Sequence, residues 1–173
     1  KRKNKNYFEL ALKEMLVEYY SQADEALKAL RQTGYGKMYN NALEHKNLNH
    51  GSYNHHNIVL LNGKIAMINM SKINYAPAIQ DVYDYLRKVM EKYHWKQKTG
   101  QNILEAYESV RQLKPDEREY LCLRLAYPEK FWKTASAYSR SNKAWLPEKS
   151  VEKLQTAVEQ TKEKEVFLRE VFE

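Results

Sequence analysis

The sequence predicts an α+β domain, mainly helical, built around one central β-hairpin. Apolar side chains recur at spacings of three and four through most of the 173 residues, the signature of amphipathic helices. That rhythm breaks once, where the short apolar runs Ile58–Leu61 and Lys64–Ile68 flank Asn62-Gly63. Asn-Gly supplies positive φ at both central positions of a type I′ turn, so the two runs read as a hairpin. Apolar residues make up 43% of the chain and aromatics 12%, enough for one buried core and against wholesale disorder.

The elements follow in order. Phe8, Leu12, Met15, Leu16, Tyr19, Ala23, Ala26, Leu27 and Leu30 form an apolar stripe on a long helix over residues 7–30. Packing within the domain accounts for this stripe; a coiled-coil seam with a partner is the alternative. Gly34 and Gly36 stop the helix, and a shorter one covers residues 38–45. Beyond the hairpin, Pro77 suits a first helical position, with Ile79, Val82, Tyr83, Leu86, Val89, Met90 and Tyr93 on the inner side. Thr99 is expected to cap a helix bearing Ile103, Leu104, Tyr107 and Val110. Pro115-Asp116 opens another through Leu125, Pro128 interrupts it, and a short helix follows around residues 131–138. Pro147 begins the last, with Val151, Leu154, Val158 and Leu168 inward. The expectation is about seven helices around one hairpin, placed by Ile58, Leu60, Ile65 and Met67 or by the alternate residues, since a one-residue slip exchanges the faces.

Composition limits the function. The net charge is +7, but Lys and Arg are interleaved with Glu on every predicted helix, and only Lys1-Arg2-Lys3-Asn4-Lys5 forms a cluster. This reads as a solvated helical surface rather than a nucleic-acid footprint. No apolar run reaches the length of a membrane span, and no secretory signal is visible, so neither a membrane nor export is expected. Because the chain begins at Lys1, it reads as part of a longer polypeptide. The single Cys122 lies in an apolar run and is expected to be a reduced, buried small hydrophobe.

The candidate site precedes and follows the hairpin: His50-Gly51-Ser52-Tyr53-Asn54-His55-His56-Asn57 on one side, Ile68-Asn69 on the other. This order, a His-Gly-x loop, an Asn five residues beyond the third position, two strands and an Ile-polar pair, resembles the catalytic segment of the kinase-like phosphotransferases, the aminoglycoside and choline kinase branch of the protein-kinase fold. Asp81 fits the acidic residue that braces the catalytic loop in that fold. More narrowly, Asn49-His50-Gly51-Ser52-Tyr53-Asn54, the stretch from Asp81 to Lys92 and Tyr127-Pro128-Glu129-Lys130-Phe131-Trp132 make the chain resemble the carboxyl-terminal lobe of the CotS-type spore coat proteins.

The resemblance implies a helical lobe whose amino-terminal partner lobe, with its Gly-rich loop and strand lysine, is absent here; Gly34-Tyr35-Gly36 reads as a helix stop, and Lys64 falls after the loop. The family's loop Asp, which orients the attacking hydroxyl, is replaced by Ser52, and its second, metal-binding Asp by Asn69. Asn57 is kept but neutral. A serine hydroxyl has no anionic form at neutral pH, and Mg²⁺ prefers anionic oxygens. His50, Ser52, Asn57 and Asn69 are therefore degenerate positions, with no catalytic, cofactor or metal residue expected and Asp81 as the structural brace. The reading is a pseudokinase with a structural or assembly role in the spore coat, working through other coat proteins or self-association on the 50–75 face. An ATP- and Mg²⁺-dependent small-molecule phosphotransferase with a rearranged site is the alternative. Zinc at His45, His50, His55 and His56, and a nucleophilic Ser52 paired with His50, are weaker alternatives, for adjacent histidines diverge and no Gly-x-Ser-x-Gly elbow is present. Apart from the coat assignment, the protein would be cytoplasmic.

Overall fold

Helix α1 (Arg2–Gln32) lies across the body and leads through Gly34 into α2 (Tyr35–Glu44). The computed structural model describes residues 2–140 and 148–172, with the side chains of 2–8 and 148–151 left aside. After α2 come β1 (Leu48–Asn49), the hairpin strands β2 (Ile58–Leu61) and β3 (Lys64–Met67), a 3₁₀ turn at Met70–Lys72, and β4 (Asn74–Tyr75). The rest is helical: α3 (Ile79–Lys92), α4 (Gln97–Glu108), α5 (Pro115–Ala126), α6 (Glu129–Arg140), α7 (Glu148–Glu159) and α8 (Thr161–Phe172).

Helix α3 is the centre. Ile79, Tyr83, Leu86 and Met90 recur on one face and are fully buried, against Leu104 of α4, Tyr120, Leu121 and Leu125 of α5, and Phe167 of α8. Gly100 permits the closest approach: a Cβ there would stand 2.2 Å from the Phe167 ring. A second cluster joins α1 to the end of the chain through Tyr19, Phe131, Tyr138 and Leu154, with the Tyr19 and Phe131 rings stacked at 4.1 Å. On α1 the inward stripe is Leu12, Met15, Tyr19, Ala23, Ala26 and Leu30, while Leu16 and Leu27 face out.

Several element ends differ from the sequence reading. Gly36 lies inside α2, which starts three residues early because the Gly34 carbonyl accepts from Met38 N. Pro77 stands two residues ahead of α3, its carbonyl accepting from Gln80 N and from the Asn49 amide. Thr99 is inside α4, which starts at Gln97 behind the left-handed pair His94-Trp95; Val110 lies beyond its end and is exposed. The expected last helix is two. It breaks at Gln160, whose buried side chain donates to Glu91 O (3.2 Å) instead of facing solvent. Phe167, not Leu168, is the fully buried anchor of α8. Pro147 and the Val151 side chain lie outside the described residues. Cys122 is half-buried rather than buried, because the buried positions of α5 are Tyr120, Leu121 and Leu125.

The hairpin holds the largest correction. Its turn is as expected, with Asn62 at φ 50° and Gly63 at φ 74°, and Leu60 pairs with Ile65, Ile58 with Met67. Yet Leu60 is 72% and Ile65 75% exposed, and the opposite face keeps only Val59 and Ala66 half-buried. Neither face is a core face. A second antiparallel ladder, β1 with β4, was illegible because two residues per strand carry no alternation.

Candidate functional site

The loop between β1 and β2 is held at its base. Strand β1 brings Asn49 opposite Asn74 of β4, so the chain entering the loop and the chain leaving the 3₁₀ turn are paired. Gly51 then takes φ 68°, and a Cβ on it would meet Lys72 O at 2.2 Å; only glycine fits this left-handed, crowded position.

Asp81, in the first turn of α3, faces this corner. Its carboxylate accepts from His50 N (2.7 Å) and from Gly51 N (3.0 Å), one oxygen each. Charged acceptors on backbone N–H groups make short, strong bonds. Asn49 Oδ1 shares the Gly51 N–H at 2.8 Å, and its amide donates to Pro77 O. The His50 ring bridges loop and hairpin: Nδ1 accepts from Ser52 N (3.2 Å), so the ring proton sits on Nε2 and is donated to Ile68 O (3.1 Å).

The other expected positions converge. Asn57 is buried, and its amide donates to Ser52 O (2.8 Å) and Ser52 Oγ (3.3 Å). Asn54 donates to the same carbonyl at 2.8 Å, and its Oδ1 accepts from His56 N. At the open end of the hairpin, Ile68 N donates to Asn57 O (2.9 Å), and Asn69, in the left-handed region at φ 65°, reaches Asn57 Oδ1 with its amide at 3.5 Å. Ser71 Oγ donates to Asn69 Oδ1. Ser52, Asn57 and Asn69 thus form one patch of hydroxyl and amide groups bonded to each other.

The chemistry of this patch is neutral. Asp81 is the carboxylate bonded to the loop, and both its oxygens are engaged by backbone N–H groups. A hard divalent cation takes anionic oxygens by preference, and Ser52, Asn57 and Asn69 offer none; the donor set does not fit Mg²⁺ with nucleotide phosphates. Nor do the histidines form a zinc cluster. His45 Nδ1 lies on Asn41 O, His50 is committed as described, and the His55 and His56 rings do not diverge as expected but stand 4.0 Å apart at a tilt of 40°. Burial, with His56 and the nearby Lys92 and Lys88, lowers the His55 pKa. Among the described residues no group of three His, Cys, Asp or Glu side chains converges on a metal position. Asn49 and Asn54 were not singled out from sequence, though each closes an Asx turn, the ordinary use of Asn two residues before a turning N–H. Tyr53, on the 50–75 face, is half-buried, with its ring 5.7 Å from that of Tyr85.

Deeper in the lobe, α3, α5 and α6 meet at a charged cluster. Glu129 takes hydrogen bonds from Tyr83 and Lys133, with Arg87 at 3.6 Å and Arg124 at 3.9 Å. Burial disfavours the Glu129 carboxylate, but Arg87 and the two hydrogen bonds prevail and hold its pKa at about 2. Arg87 also binds Glu91 at 2.8 Å, and the Arg124 guanidinium lies 4.4 Å from the Tyr83 ring centre.

A helical lobe with a His-Gly loop, a hairpin and a bracing Asp on the next helix defines the class of kinase-like phosphotransferase folds. The solved aminoglycoside phosphotransferase from Alicyclobacillus acidocaldarius superposes with a TM-score of 0.81 at 20% identity, over 94% of this chain and 48% of the other. The present chain therefore spans about half the length of that protein. No curated protein matches it. The family model described as "Spore coat putative kinase YutH" matches residues 1–171, and the chain belongs to that CotS-like family. Among the described residues no helix is long and apolar enough to cross a membrane.

Proposed function

We propose that this chain is the helical lobe of a catalytically degenerate kinase-like protein that serves the spore coat through contacts rather than phosphoryl transfer. The observation that carries this reading is the bonding at the loop. Ser52 stands where a proton-accepting Asp is needed, Asn69 where a metal-binding Asp is needed, and the Asp81 carboxylate is spent on the backbone. Losing a general base alone typically removes about 10²–10⁴ in rate. What survives is the shape of the loop without its charge. Location in the coat is supported by family membership.

The exposed apolar residues around the hairpin, Leu60, Ile65, Met67, Met70, Ile73 and Tyr75, supply a contact surface. Its occupant in this reading is the amino-terminal lobe of a two-lobed protein, consistent with the chain spanning 48% of the phosphotransferase structure.

Calorimetric titration with ATP, with and without Mg²⁺, tests the degenerate site. The expected result is weak or absent binding that Mg²⁺ does not improve. A metal-dependent affinity on the order of micromolar would overturn the reading and favour an active small-molecule phosphotransferase.

A further inference from the structure

Helix α1 has two apolar faces. One packs into the body; the other, made of Leu10, Val17, Tyr20 and Leu27, points outward, with Val17 78% and Tyr20 63% exposed. Lys13 and Asp24 fill the gaps of this outer stripe, Lys13 exposed and Asp24 half-exposed. The positions 10, 13, 17, 20, 24 and 27 alternate steps of three and four, which is the a/d pattern of a two-stranded coiled coil. On the helical wheel they lie on the side of α1 away from Tyr19, Ala26 and Leu30.

We propose that this stripe is a homodimer seam, in which α1 of a second copy of the chain packs antiparallel about a twofold axis passing between Glu18 and Tyr19. The sequence itself selects that occupant. Leu10 and Leu27 are equidistant from this point, as are Lys13 and Asp24, and Val17 and Tyr20. A twofold axis there sets Leu10 against Leu27 of the second copy, Val17 against Tyr20, and Lys13 against Asp24. Apolar meets apolar in four layers, and opposite charges meet in the other two. A parallel pairing would instead stack Lys13 on Lys13 and Asp24 on Asp24. An isologous interface requires a patch that is complementary to itself, and the antiparallel register provides it. Within each chain Asp24 holds Lys28 at 2.7 Å, so in the dimer it lies between two cations. The seam runs about 26 Å along the helix at about 1.5 Å per residue. Its residues lie on α1, whereas the hairpin surface lies on β2, β3 and the residues after them.

Sedimentation equilibrium under reducing conditions tests the seam. The wild-type chain is expected to show a concentration-dependent dimer, and Val17→Asp, at an exposed position that keeps the fold, is expected to weaken it at least about tenfold by facing a charge to Tyr20. Lys13→Asp alone sets acid against acid, and Asp24→Lys alone sets base against base; each is expected to stay monomeric where the wild type is dimeric. Mixed in equal amounts, the two variants are expected to form a heterodimer, because both charged layers become complementary again. Ile65→Asp on the hairpin should leave dimerisation unchanged. A wild-type monomer at every concentration, a dimer that survives Val17→Asp, or a failure of the two variants to pair on mixing would each overturn the seam. Loss of the dimer on Ile65→Asp would place the contact on the hairpin instead.

Discussion

The two ends of α3 handle charge in opposite ways. At the amino-terminal end Asp81 holds a loop whose other functional positions are neutral: a serine and two asparagines linked by hydrogen bonds. Toward the carboxyl-terminal end Arg87 and Glu91 join Glu129, Arg124 and Lys133 in a dense ionic cluster that ties three helices. The loop end of α3 carries a hydroxyl and amides, and the end that ties helices carries ion pairs. The loop is held by the Asp81 carboxylate and the left-handed Gly51 at its base, and by the amides of Asn54 and Asn57 on Ser52 O within it.

The sharpest way to break the comparison is at Asp81. Asp81→Ala strips the acceptor from His50 N and leaves Gly51 N with Asn49 Oδ1 alone, and the expected cost is up to about 3 kcal/mol. The check is a urea denaturation midpoint, and an unchanged midpoint would show that the β1–β4 ladder and Asn49 hold the loop without it.

Glu129→Gln probes the other end. The folded pKa of about 2 lies below the ordinary value of 4.5, so the ionised carboxylate contributes stability that is present above pH 4.5 and fades as pH falls toward 2. The variant is expected to lose about 2 kcal/mol near neutral pH, after allowing for partial exposure, and to converge with the wild type in acid. A pH-independent difference would mean that packing, not the ion pairs, sets the effect of Glu129.

The smallest effect is expected on the hairpin. Leu60→Ser on the hairpin should change stability by no more than about 0.5 kcal/mol, since Leu60 is 72% exposed. A loss on the scale of a core truncation, read from thermal melts, would mean that the hairpin is packed against the body.

The parts legible in the sequence were those governed by local rules. Asn62-Gly63 dictated its turn through positive φ, and Pro115-Asp116 marked the start of α5, where the structure adds a Glu117 carboxylate accepting from Lys114 N. The 3.6-residue period located α3 and most of the inner face of α1, though Leu16, Leu27 and Tyr93, read as inward, are exposed. Spacing across a hairpin also says that Ser52, Asn57 and Asn69 come together at its open end, as their hydrogen bonds show. What the tertiary structure alone decided was non-local. Leu60 and Ile65 stay exposed and Val59 and Ala66 are only half-buried, since alternation along a strand says which residues share a face but not whether anything lies on it. Gln160, at the junction of α7 and α8, is buried with its amide on Glu91 O, 69 residues away in the chain, a contact that no local period shows. The outer stripe of α1 became visible only once the inner stripe was assigned to the core: periodicity shows that a helix has apolar residues, and burial shows which of them remain without a partner.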